Sequence, residues 1–182
     1  MKLKLVRYDQ SMNSVATLAE VDEPFKPGAM SPFPILLLCH VTADDRLIWM
    51  ANSIYAFHVL SPDGRVIKTI TKDTERVKIT AADRKTILDG YKDEPSIQSQ
   101  IVIPDLYPPV AFFIGDAEGR LYAQTYARNG KSEHWYDVFD PEGRCIAGFF
   151  FPKEEVPMAV RKDRLYVLIQ EDAEGLPLVK RY

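Results

Sequence analysis

Residues 137–146 read Asp-Val-Phe-Asp-Pro-Glu-Gly-Arg-Cys-Ile, a short apolar strand, a tight turn and the start of a second strand. Residues 59–67, Val-Leu-Ser-Pro-Asp-Gly-Arg-Val-Ile, repeat the same order of residue types. Proline and glycine inside such a turn favour a β-hairpin. Two copies of a Pro-acid-Gly-Arg turn between apolar strands therefore indicate a protein built from repeated β-units.

A second recurring feature is an Arg-Leu pair that opens a strand after an acidic turn, at Arg46, Arg120 and Arg164. Arg120 and Arg164 are 44 residues apart, the length of a four-stranded propeller blade. An inserted segment between Thr71 and Pro104 accounts for the longer distance from Arg46 to Arg120. A β-sandwich would also contain many short strands, but it would not require the same turn in each unit. The repeat therefore favours a β-propeller.

On these motifs the chain resembles the later blades of six-bladed, NHL-repeat-like β-propellers of bacteria, a largely uncharacterised group with a WD40-like fold. The resemblance rests on Asp-x-x-Gly-Arg-Leu-Tyr at 116–122, on the turn within 137–146, and on Arg-Leu-Tyr at 164–166. It implies an all-β fold of four-stranded antiparallel blades. It also allows a periplasmic or exported location, and it implies no particular activity.

The strand pattern predicts a single domain, residues 1–182, divided into blade-like units. Residues 1–24 end one blade, 34–72 form a blade, 73–107 hold a helical insertion and loop, 108–152 form a blade, and 156–182 form an incomplete last blade with a turn at 172–175. These units amount to about three and a quarter blades, fewer than a closed ring needs. The chain is therefore expected to be part of a longer propeller, or to complete a ring by self-association.

Three local features carry further expectations. Thr80 followed by Asp83 resembles a capping box, and apolar residues at helical spacing predict an amphipathic helix over 81–92 whose apolar stripe packs on the strands. The continuous apolar run at 34–41 predicts a strand buried on both faces. Cys39 and Cys145, both within strand patterns, are expected to be buried free thiols, unless the fold brings the two together as a disulfide.

Composition excludes several classes of function. The formal net charge of −3 over 182 residues provides no basic field for nucleic acid. The longest apolar run is too short for a membrane span, and no apolar leader follows the first residues. We therefore expect neither a nucleic-acid partner nor a membrane span, and the cellular location stays open.

Motifs of catalysis and metal binding are absent from the sequence. Four acidic residues that resemble paired carboxylates lie in glycine-containing turns, where such side chains favour the turn itself: Asp116, Glu118, Asp140 and Glu142. The histidines, none at metal-binding spacing, are His40, His58 and His134. No nucleophile elbow, P-loop or dinucleotide fingerprint occurs. We expect no cofactor and no metal.

If the chain has a ligand surface, the propeller fold places it in the loops at one end of the central channel, although the same loops could equally be structural. Its candidate residues precede one inner strand or lie in the long connection between a second and a third strand: Asp105, Tyr107, Arg128, Asn129, His134 and Trp135. The leading hypothesis is a non-catalytic module that binds a protein or a small molecule. The alternative is an enzyme of the hydrolase or lyase kind, with its site at a central channel.

Overall fold

The computed structural model of the protein describes residues 2–23, 28–130, 133–169 and 175–182. Over these residues the chain forms thirteen β-strands and two short helices. In chain order they are β1 (Lys2–Tyr8), β2 (Ser14–Asp22), β3 (Leu37–Val41), β4 (Leu47–Ala51), β5 (Ala56–Leu60), β6 (Val66–Thr71), α1 (Ala81–Asp89), α2 (Pro95–Gln98), β7 (Phe112–Gly115), β8 (Leu121–Thr125), β9 (Glu133–Phe139), β10 (Cys145–Pro152), β11 (Glu155–Arg161), β12 (Arg164–Ile169) and β13 (Leu178–Arg181).

The strands pair into four antiparallel sheets. The first sheet is β1–β2, the second β3–β4–β5–β6, the third β7–β8–β9–β10 and the fourth β11–β12–β13. Strands that follow each other in sequence are neighbours in the sheet, so each sheet is a meander. The all-β prediction is confirmed: the four sheets contain two, four, four and three strands.

The predicted β-propeller, with its central channel and incomplete ring, is wrong. The described residues form four separate sheets of two, four, four and three strands, and no closed barrel. The repeated motif is a turn motif, and a turn determines only how two consecutive strands pair. Recurrence of the turn therefore predicts meanders, and it does not determine how the meanders are arranged around one another.

Within the described residues, five hairpins share one five-residue turn. In each, the first residue's N–H donates to the fifth residue's carbonyl, and the fourth residue's N–H donates to the first residue's carbonyl. The fourth residue has a positive φ, between 60° and 88°. This geometry is a tight turn followed by a left-handed residue. The five turns occupy residues 9–13, 42–46, 61–65, 116–120 and 140–144.

The hairpin that joins β11 to β12 uses a different turn. Lys162 and Asp163 both have positive φ, 49° and 56°. Two consecutive left-handed residues are the requirement of a two-residue type I′ hairpin. The turn predicted at 172–175 lies outside the described residues up to position 174.

The first three sheets contact one another through their outer hairpins. The Arg7 guanidinium donates to the Pro62 carbonyl at 2.7 Å, and the Lys68 ammonium donates to the Pro141 carbonyl at 2.9 Å. The glycine of each of these turns also packs on the preceding sheet, Gly64 on Leu18 of β2 and Gly143 on Ile70 of β6. The second sheet therefore meets the third in the same way as the first sheet meets the second.

The core lies between the second and third sheets. The Phe57 ring of β5 contacts Phe113 of β7 at 5.1 Å and Phe139 of β9 at 5.6 Å between ring centroids, both edge to face. Apolar side chains from both sheets complete this cluster, among them Met50 and Leu121. Edge-to-face contacts add to the free energy gained by burying the rings.

The apolar run at 34–41 does not form a strand buried on both faces. The strand begins only at Leu37, because the Asn52 amide holds the preceding segment: its Oδ1 accepts from the Leu36 N–H at 2.9 Å, and its Nδ2 donates to the Pro34 carbonyl at 3.1 Å. β3 is an edge strand, as is β10. Cys39 and Cys145 lie on these edge strands, so both free thiols are exposed rather than buried.

The insertion contains α1, which is shorter than predicted. The capping box at Thr80 and Asp83 is confirmed, but the helix ends at Asp89 and none of its residues is fully buried. The Arg84 guanidinium anchors α1 by donating to the carbonyls of Ile103 and Pro104 at 3.0 and 2.9 Å. In the parts of the chain that the structure describes, neither helix has the length and apolar character needed to cross a membrane.

Candidate functional site

A cavity of about 550 Å³ lies between α1 and the connection from β8 to β9. We call it the α1 cavity. Segments from the whole middle of the chain contribute to it: Phe33, Asp83, Thr86, Ile87, Tyr107, Tyr126, Ala127, Arg128, Gly130, Glu133, His134 and Lys153. Because these residues come from five separate segments, the cavity exists only when the sheets and the insertion are assembled.

One wall of the α1 cavity is a cluster of three aromatic rings. Tyr107 and Tyr126 are stacked, with ring centroids 4.3 Å apart. Phe33 meets both edge to face, at 5.0 Å from Tyr107 and 5.9 Å from Tyr126. Prolines on either side of Tyr107, at 104 and 108, restrict the backbone of its loop. The cluster is therefore a preformed apolar surface beside polar groups.

Arg128 connects this wall to α1. Its guanidinium donates to Asp83 Oδ2 at 2.9 Å and to the Tyr107 hydroxyl at 3.0 Å, and it lies 5.3 Å from the Tyr107 ring centroid. Burial raises the pKa of Tyr107, so its hydroxyl stays protonated at neutral pH. The combination of ion pair, hydrogen bond and cation–π contact fixes the guanidinium in one orientation.

The Asp83 carboxylate accepts hydrogen bonds from two separate segments of the chain. Its Oδ2 also accepts hydrogen bonds from the Thr80 N–H and hydroxyl, each at 2.8 Å, which closes the capping box. Burial acts to raise the pKa of Asp83, but the hydrogen bonds from Arg128 and Thr80 outweigh it and lower the pKa to about 2. Asp83 is therefore an ionised structural anchor at neutral pH.

Glu133, His134 and Lys153 also line the cavity. The Asn129 side chain donates a hydrogen bond to Glu133. Burial lowers the pKa of His134, and the nearby Lys153 ammonium lowers it further, while Glu154 acts in the other direction. The imidazole of His134 is therefore neutral at pH 7.

The structure brings together three of the six residues predicted from the sequence: Tyr107, Arg128 and His134 line the α1 cavity. Asn129 contributes indirectly through Glu133. The Asp105 side chain is 97% exposed and pairs with Arg84 at 2.8 Å, outside the cavity lining.

Trp135 lies on the other face of its strand, in a separate polar cluster. Its Nε1 donates to Asp137 Oδ1 at 2.8 Å, and the Lys72 ammonium donates to the same oxygen at 2.6 Å. The Tyr55 hydroxyl donates to Oδ2 at 2.7 Å, and burial together with Asp137 raises the pKa of Tyr55. Tyr55 and Lys72 flank strands of the second sheet, so Asp137 ties that sheet to the third.

Contact with Trp135 also explains the glycine at position 148. A Cβ atom there would lie 2.0 Å from the indole ring. The ring covers the backbone of β10, which leaves no room for a side chain.

The acidic pairs noted in the sequence belong to turns. Asp116 Oδ1 accepts from the Arg120 N–H, and Asp140 Oδ1 accepts from the Arg144 N–H, each at 2.8 Å. In both turns the arginine Nε donates to the other carboxylate oxygen at 2.6 Å. These carboxylates stabilise hairpins. Across the described ranges, no three His, Cys, Asp or Glu residues are grouped so that they could hold a metal ion.

No family model matches the chain, and no curated protein matches it. A solved structure that it resembles is a crystal structure of a member of the DUF4221 family from Bacteroides vulgatus ATCC 8482, with 11% identity and a TM-score of 0.43. The match covers 81% of this chain and 46% of the other, so the chain spans about half the length of that structure. The resemblance to NHL-repeat-like propellers is not confirmed.

Proposed function

We propose that this chain is a binding module that holds a small organic molecule in the α1 cavity. The observation that carries the proposal is the convergence of Tyr107, Arg128 and His134 on one cavity of about 550 Å³ with a preformed aromatic wall. Ligand sites are typically concave, largely apolar, and furnished with a few oriented polar groups, with volumes of about 300–1,000 Å³.

The state of the polar groups favours binding over catalysis. A general acid or base needs a pKa near the working pH and a free path to the substrate. Asp83, with its pKa at about 2 and three hydrogen bonds to one oxygen, is committed to α1 and Arg128. Groups that are fixed before the ligand arrives lower the entropic cost of binding.

A fragment library screened by ligand-observed NMR tests this proposal. Compounds that bind the α1 cavity should lose about tenfold in affinity in Tyr126→Ala, because the substitution removes one ring of the aromatic wall. Tyr8→Ala is a matched control, since the Tyr8 side chain is exposed on β1. Trp135→Phe should leave affinity unchanged, because Trp135 faces Asp137.

Two results would contradict the proposal. One is a library without a single binder. The other is a set of binders whose affinities are equally unaffected by Tyr126→Ala and Tyr8→Ala. Far-UV circular dichroism of each variant checks that the sheets are intact.

A further inference from the structure

The charged groups of the α1 cavity fall into two sets. The acidic ones already have partners, since Asp83 pairs with Arg128 and Glu133 accepts from Asn129. The basic set, Lys153 and His134, has no ion pair or side-chain hydrogen bond to any residue in the described ranges. Within those ranges, the charged groups of the cavity that have no hydrogen-bonding partner are therefore the two basic ones.

Lys153 and His134 also belong to neighbouring positions of the third sheet, because His134 pairs with Phe151 across β9 and β10 and Lys153 follows Phe151 by two residues. The Lys153 ammonium disfavours a charge on the His134 imidazole, beyond the effect of burial. Glu154, in the turn that carries Lys153, only partly offsets this repulsion. A negative group placed between Lys153 and His134 would relieve it and would gain two hydrogen-bond donors.

We infer that the α1 cavity takes a small organic anion: a carboxylate bound between Lys153 and His134, attached to an apolar or aromatic body that packs on Phe33, Ile87 and Tyr126. This inference rests on the proposed function and adds the chemical class of the ligand. The aromatic wall and Ile87 supply the apolar half of the site, and the unmatched basic pair supplies the polar half.

A single negative charge fits this pair better than a phosphate group does. Proteins usually bind phosphate with arginine forks or with several backbone N–H groups at a helix N-terminus. The arginine of this cavity, Arg128, is already engaged by Asp83 and Tyr107. A cationic ligand would have to compete with the Asn129 amide for Glu133, since Asp83 is already paired with Arg128.

Binding of the anion should be coupled to protonation of His134. In the free protein its pKa lies below the ordinary value, and a neighbouring carboxylate would raise it again. Affinity should then increase as the pH falls through the pKa of the bound state, and level off below the pKa of the free state. The charged groups around His134 are Lys153, Glu154, Glu133 and the Asp83–Arg128 pair.

Three matched probes test the class of ligand: 3-phenylpropionate, 3-phenylpropanamide and 3-phenylpropylamine, titrated by calorimetry against the full chain. We expect the acid to bind about tenfold more tightly than the amide, and the amine not to bind. Lys153→Gln should remove the preference for the acid while leaving the affinity for the amide unchanged. Lys92→Gln, an exposed lysine beyond α1, is the matched control.

Proton uptake gives a second, independent reading. Titrations of the acid in two buffers of different ionisation enthalpy should reveal uptake of a proton near pH 6.5, and His134→Gln should abolish it. Equal affinity for acid and amide, tighter binding of the amine, or no binding of any of the three would overturn the anion inference. If other library compounds still bind in a Tyr126-dependent manner, the proposed binding function stands without the anion inference. A library in which no compound binds contradicts both the binding function and the anion inference.

Discussion

At Asp83 one carboxylate oxygen accepts hydrogen bonds from the Thr80 N–H, from the Thr80 hydroxyl and from Arg128. The first two begin α1, and the third orients the guanidinium that contacts Tyr107. A local helix signal and a wall of the cavity therefore depend on the same side chain. A substitution at Asp83 should affect both the helix and the cavity.

Acidification should remove the stabilisation that Asp83 provides. Its folded pKa of about 2 lies below the unfolded value of 3.8, so the stabilisation is complete above pH 4 and is lost as the pH falls towards 2. Because solvent screens the pair, we expect a contribution of about 1 kcal/mol. Urea denaturation of the wild type and Asp83→Asn should differ by this amount at pH 7 and converge near pH 2.

Asp93→Asn is the control for this prediction, since Asp93 is an exposed acidic residue beyond α1. It should follow the wild type at both pH values. A difference between the wild type and Asp83→Asn that stays constant from pH 7 to pH 2 would show that the Asp83 charge does not stabilise the fold.

At the scale of elements, the repeated turn also acts as a connector between sheets. The turns at 61–65 and 140–144 each place a glycine of positive φ against an apolar side chain of the preceding sheet, and each accepts a hydrogen bond at its proline carbonyl. The turn at 116–120 has the same backbone, but its Gly119 makes only ordinary contacts, with the nearest atom 3.5 Å from an added Cβ. Substitutions of the glycines in these turns therefore distinguish the cost of backbone strain from the cost of a steric clash with the preceding sheet.

Gly143→Ala should destabilise the protein more than Gly119→Ala. Both introduce a side chain at φ above 80°, which costs about 1 kcal/mol. Only at Gly143 does the new Cβ also meet Ile70 Cγ1, at 2.7 Å, for an additional cost of about 1–2 kcal/mol. Thermal denaturation of both variants measures the difference.

The contact itself can be tested with an Ile70→Ala background, which removes the clashing atom. The excess cost of Gly143→Ala should then disappear, as a double-mutant cycle would show. An excess that persists in this background would mean that Ile70 is not the cause. Equal losses of stability for the two glycine variants would show that the contact with Ile70 adds no cost.

The hairpins could be predicted from the sequence because each is determined by neighbouring residues. At 61–65 and 140–144, for example, proline, an acid and a glycine before arginine specify the turn within five positions. The α1 cavity could be predicted only in part. Tyr126 and Lys153 carry no local signal, since their role depends on segments far away in the sequence.

Two of the predicted site residues illustrate the limit in physical terms. Trp135 follows His134 directly in β9, and consecutive strand residues face opposite sides of a sheet. One of the two therefore had to lie outside any site that contains the other. Asp105 is close to Tyr107 in sequence, but its carboxylate pairs with Arg84 at the surface.

At the scale of the whole molecule, the second and third sheets form one packed unit. Phe57 of the second sheet is fully buried against Phe113 and Phe139 of the third. The Asp137 carboxylate, 3% exposed, adds charged and neutral hydrogen bonds to Lys72 and Tyr55 across the same boundary. Breaking a buried pair of this kind leaves an uncompensated charge. Separation of the two sheets would therefore expose both the Phe57 cluster and the Asp137 carboxylate.

These two sheets should therefore unfold together. The chain has two tryptophans, Trp49 in the second sheet and Trp135 in the third, so Trp135→Phe and Trp49→Phe each leave a reporter for one sheet. In each variant, tryptophan fluorescence and far-UV circular dichroism should give the same urea midpoint. Adding Phe57→Ala, which removes a ring from the shared core, should lower both midpoints by an amount equivalent to about 3–5 kcal/mol. If Phe57→Ala moved only the Trp49 transition, the third sheet would be stable on its own, and the shared core would not couple the two sheets.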